Sequence, residues 1–78
     1  MDLIVNESEI KQEIGHRIKV CRVDNKMNHD DLANKVGIQK AQISGIERGE
    51  RNINAIQLLK VTEALKIDMN RLFKNLKS

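Results

Sequence analysis

In five stretches of the chain, apolar residues recur at intervals of three and four with polar residues between them, the period of an amphipathic helix. The first predicted helix runs from about Ser8 to Asp24, with Ile10, Ile14, Ile18 and Cys21 as its apolar stripe and Ser8 or Asn6 as its cap. Asn28 is placed to cap a second helix, in which Leu32 and Val36 face inward and Asp30 and Asp31 sit near the positive end of the dipole. A third starts near Gln39, ends before Gly49 and turns Ile43 and Ile46 to the core. Asn54 caps a fourth with Leu58, Val61, Thr62 and Leu65 on the core period, and Asp68 caps a fifth that carries Met69, Leu72, Phe73 and Leu76. The pattern predicts an all-α fold. Residues 8–78 form one domain, preceded by residues 1–7, a segment open to disorder or to packing Leu3 to Val5 on a neighbour.

The densest information lies between His29 and Gly49, HDDLANKVGIQKAQISGIERG. Ala33 stands four positions before Gly37, and a small side chain there lets the second helix approach the third at a steep crossing. Gly37 suits the turn because it takes a left-handed conformation that a Cβ makes costly. Two short amphipathic helices across such a turn predict a helix-turn-helix at helices 2 and 3.

With these residues in view, the chain resembles the phage repressor and Cro-type regulators, also called xenobiotic-response-element-like. IGHRIKVCR (Ile14 to Arg22) is similar to that family's first helix, ISGIERGERNI (Ile43 to Ile53) to its recognition helix and following loop, and LLKVTEALKIDMNRLF (Leu58 to Phe73) to its last two helices. The resemblance implies a five-helix lambda-repressor-like DNA-binding domain. It maps base contacts onto Gln39, Lys40, Ala41, Gln42 and Ser44, where lysine can donate to guanine O6 and N7, glutamine can bridge adenine N6 and N7, and the alanine methyl can touch a thymine methyl. Phosphate contacts map onto Asn28, His29, Arg48, Arg51 and Asn52. Relatives usually have glutamine where His29 stands, and the substitution implies an affinity that rises modestly as the imidazole protonates.

The same resemblance implies a structural salt bridge between Arg17 and Glu47, joining helix 1 to the end of the recognition helix. Relatives often have glycine where Lys26 stands, so Asn25 is expected to take the left-handed position before helix 2. They often have proline where Ile53 stands. ERGERN (Glu47 to Asn52) is similar to the controller proteins of restriction-modification systems, small regulators without an effector domain, though a phage or chromosomal repressor shares nearly every motif.

Composition narrows the classes. At 78 residues, 40% apolar and 32% charged, the chain suits a small helical domain near the lower limit of a self-sufficient core, which a partner subunit would help. Ile56 and Leu59 are offset from the helix 4 core stripe. With Met69 and Leu76 they are the candidate interface of a homodimer that reads a palindromic operator. The alternative is that they fill the monomer's own core.

The net charge of +3 favours an anionic partner only mildly, but Lys35 to Arg51 carries a net +2 around the proposed DNA-facing element, and Arg71, Lys74 and Lys77 add charge near the C-terminus. The expected partners are double-stranded DNA, a second copy of the chain and RNA polymerase beside the operator. No cofactor, metal or membrane is implied: no stretch is long and apolar enough to span a bilayer, the N-terminus has no secretory pattern, and the single Cys21 has no disulfide partner or zinc-ligand set. A cytoplasmic location is expected. The absence of a metal-ligand cluster, a phosphate-binding glycine loop and a nucleophile-base pair argues against an enzyme. One aromatic residue, Phe73, offers no stacking platform for RNA. An antitoxin-type interaction protein that binds its own promoter remains the second class.

Overall fold

The computed structural model describes residues 6–76 and consists, among them, of five helices: α1 (Glu7–Asp24), α2 (His29–Val36), α3 (Lys40–Glu47), α4 (Ala55–Leu65) and α5 (Met69–Phe73). Capping chemistry sets where four of them begin. Asn6 accepts from the Glu9 amide at 3.1 Å, so α1 starts at Glu7, ahead of the expected Ser8. Glu7 is therefore helical and does not belong to a disordered leader; the expectations for residues 1–5, including Leu3 to Val5, and for Lys77 lie outside the described residues. Asn28 and Asp31 form a reciprocal capping box on α2, as Asn54 and Gln57 do on α4, and Asp68 caps α5. Gln39 makes no side-chain cap bond on α3.

The core is built from Ile18 and Cys21 of α1, Leu32, Ala33 and Val36 of α2, Ile43 and Ile46 of α3, Val61 and Leu65 of α4, and Leu72 of α5. Ile14, Ile38, Ile53 and Leu58 pack against it half-buried. Burial pushes the Cys21 thiol pKa up, with Arg71 partly opposing it. α1 lies against α3 and α5, and α2 against α3 and α4, so α3 is clamped on its inner edge from two sides.

Two glycines set this arrangement. Gly37, at φ 74°, ends α2, and its amide and that of Ile38 donate to the Ala33 carbonyl at 2.8 and 3.1 Å, closing the turn into α3. Gly15, in the middle of α1, is buried where the backbones of α1 and α3 meet. A Cβ there would collide with the Ile46 carbonyl oxygen and lie 2.8 Å from that of Glu47.

The left-handed step before α2 falls on Lys26, at φ 59°, not on Asn25. Asn25 keeps φ −86° because its side-chain amide donates to the Cys21 carbonyl at 2.8 Å and to Leu65 at 3.2 Å, which fastens the end of α1 to the end of α4. The reversal is deferred to the next residue.

Candidate nucleic-acid interface

α3 has two unlike edges. Ile43 and Ile46 are buried, as are Gly45 and Glu47, while Gln39, Lys40 and Ala41 are exposed and Gln42 and Ser44 half-exposed. All five residues expected to read bases thus share the start and outer face of one helix, free of the protein's own core. Lys40 Nζ lies 3.8 Å from Asp30 on α2, a loose pair between two exposed side chains that a base edge can displace.

The residues expected at phosphates surround this helix. Asn28 is exposed at the start of α2 with its side chain committed to the Asp31 amide at 2.8 Å. Arg48, just past α3, donates to the Ser44 hydroxyl and pairs with Glu50 at 3.0 Å, which holds the Glu50 carboxyl below its usual pKa. Arg51 lies over α3, its Cδ 2.8 Å from where a Cβ on Gly45 would stand, so glycine at 45 makes room for the arginine stem. Arg51 and Asn52 are exposed in the connection to α4.

His29 is occupied otherwise. Its Nε2 is 2.9 Å from Glu47 Oε1, so one ring nitrogen of the residue expected at phosphate engages a carboxylate of the protein itself.

That carboxylate belongs to the main electrostatic junction of the fold, and its partner is not the expected one. Arg22, not Arg17, reaches Glu47: Nε donates to Oε2 at 2.6 Å and Nη2 to Oε1 at 3.1 Å, while Nη1 donates to the Met27 carbonyl at 2.7 Å. The guanidinium fork thereby ties α1 to the end of α3 and to the connection before α2. Both side chains are nearly sealed from solvent, at 9% and 4% exposure, a burial tolerable only with every charge paired. Arg17 points elsewhere on α1. It pairs with Glu13 at 2.9 Å and donates from Nη1 to the carbonyls of Leu72 at 3.1 Å and Lys74 at 2.7 Å, holding the end of α5. A signal for Arg22 was present in the sequence, since it continues the i, i+4 row of Ile14 and Ile18 and so must lie toward the core.

The profile of the helix-turn-helix family matches residues 18–72, more than half of the chain and the whole of α2 and α3. The chain belongs to the helix-turn-helix family. It is accordingly a DNA-binding transcriptional regulator. Among relatives, it is 26% identical over 70 residues to the control protein C.MunI of Mycoplasma sp, across 88% of this chain and 95% of that one. It superimposes on the restriction-modification controller protein C.AhdI of Aeromonas hydrophila with a TM-score of 0.76 and 31% identity, over 80% of this helix-turn-helix chain and 94% of the controller. For the wild-type restriction-modification controller protein C.Esp1396I the TM-score is 0.76 at 30% identity, over 86% and 88% of the two chains. Among the described residues no helix is long and apolar enough to cross a membrane.

Proposed function

We propose that the protein binds a palindromic operator as a homodimer and acts as the controller of a restriction-modification system. The observation that carries DNA reading is the division of α3: Gln39, Lys40, Ala41, Gln42 and Ser44 face outward with bidentate donors and acceptors among them, while the opposite edge is locked into the core. Arg48, Arg51 and Asn52 follow that edge and Asn28 lies on the α2 side, and these residues would meet the sugar-phosphate backbone of a duplex held there. His29 contributes by fixing Glu47, and thereby α3.

Dimerisation is supported by unpaired apolar surface on the last two helices. Ile56 is 68% exposed, Leu59 52% and Met69 37%, in a chain whose other large aliphatic side chains are mostly drawn into one core. Leu76, expected in the same interface, is half-buried and lines a cavity with Ile10 and Glu13 of α1. Two-fold pairing through α4 and α5 would present two α3 helices to successive major grooves about 34 Å apart. The controller role is supported by the similarity to C.MunI, C.AhdI and C.Esp1396I over nearly their full lengths.

Selection of preferred duplexes from a random pool tests the proposal. Two inverted half-sites with centres roughly 10 base pairs apart are expected. Enrichment of a single half-site would contradict the dimer, and no enrichment at moderate salt would contradict sequence reading.

A further inference from the structure

At the junction of α1, α2 and α3 lies a solvent-open cavity of about 170 Å³, lined by Lys19, His29, Ser44, Glu47 and Arg48. It has room for several waters or one tetrahedral oxyanion. We propose that it is a backbone-phosphate subsite in which Lys19 supplies the charge, extending the DNA footprint from α3 onto α1. The inference rests on the DNA-binding reading above.

Three observations support it. First, Lys19 is an exposed cation with no carboxylate in ion-pair range among the described residues, and its helical neighbours at 15, 16, 22 and 23 are Gly, His, Arg and Val, none of them acidic. Second, the one carboxylate in the cavity wall, Glu47, is spent: both of its oxygens are bonded to Arg22, and Oε1 also to His29, so it does not cancel Lys19. Third, Ser44 accepts from Arg48, which leaves its hydroxyl proton to donate outward. Ser44 and Arg48 continue the row begun by Lys40 at four-residue spacing. The cavity therefore stands at the end of the ridge that carries the candidate base-reading residues, where a duplex docked on that ridge would bring the strand bordering its groove.

Salt titration of binding to the selected duplex tests the subsite, using the intact chain, Lys19→Gln and, as a control, Lys66→Gln at the far end of α4. Lys19→Gln should shallow the slope of log K against log salt by about 1.8, the counterion equivalent of one phosphate for each subunit of the dimer, and weaken selected and scrambled duplexes by the same factor. Replacing single phosphates by methylphosphonates should identify one position in each half-site, the two related by the operator's symmetry, whose neutralisation weakens the intact chain several-fold and leaves Lys19→Gln unaffected. A slope for Lys19→Gln equal to that of the intact chain and Lys66→Gln overturns the subsite while leaving DNA reading in place. An intact chain that prefers no duplex overturns DNA reading and the subsite with it.

Discussion

At the residue scale, two arginines five positions apart on α1 have opposite fates because five helical steps turn the side chain by about 140°. Arg22 lands in the core row beside Glu47, and Arg17 lands over the end of α5. Their substitutions should separate accordingly. Arg22→Ala leaves Glu47 buried with only His29 near it and should cost about 3–5 kcal/mol in urea unfolding. Removing the Glu13 pair by Glu13→Ala should cost under about 1 kcal/mol, since that bridge is half in solvent. Equal costs would show that the α1–α3 bridge is not the junction described here. Lys26, held left-handed at φ 59°, gives a prediction of opposite sign: Lys26→Gly removes a Cβ penalty of about 1–2 kcal/mol at some cost in chain entropy, and should raise Tm by a few degrees. A lower Tm would mean that the lysine side chain contributes more than its backbone strain costs.

At the scale of elements, helix starts and the α2–α3 turn were legible because they depend on neighbours in sequence. Asn28, Asn54 and Asp68 cap the helices they precede, and Gly37 takes the left-handed turn. What the sequence concealed depends on contacts between distant segments. Asn25 was displaced from the left-handed position by its bond to Leu65, forty residues away, and Nε2 of His29 meets Glu47, eighteen residues on. Gly15 is of the same kind. By helix propensity alone Gly15→Ala should gain about 0.5–1 kcal/mol, yet the carbonyls of Ile46 and Glu47 occupy the space a methyl needs. Overpacking outweighs propensity here, so the substitution should destabilise the fold by about 1–3 kcal/mol, read as a fall in the urea midpoint. A rise would show that α1 and α3 are not in backbone contact at this point.

At the scale of the whole molecule, the five candidate base-reading residues were legible as a set through the family resemblance; helical period sets Lys40, Ala41 and Ser44 opposite Ile43 and Ile46, while Gln39 and Gln42 reach solvent because they stand at the start of α3, and the pairing of two copies is written only as unpaired apolar surface. Placing charge on that surface with Ile56→Asp and Met69→Asp should shift sedimentation toward the monomer mass at micromolar concentration without loss of helical circular dichroism. An unchanged mass would move the interface elsewhere. Operator affinity should fall with the dimer, since one half-site then contributes alone.

The outer edge of α3 is tested most directly by the ratio of affinities for selected and scrambled duplex, measured at one salt concentration for the intact chain and for a variant combining Gln39→Ala, Lys40→Ala and Gln42→Ala. Each well-made base contact discriminates by about 1–3 kcal/mol, so the ratio should fall at least about tenfold while the thermal transition stays in place. A ratio preserved in the folded variant would contradict base reading by this edge.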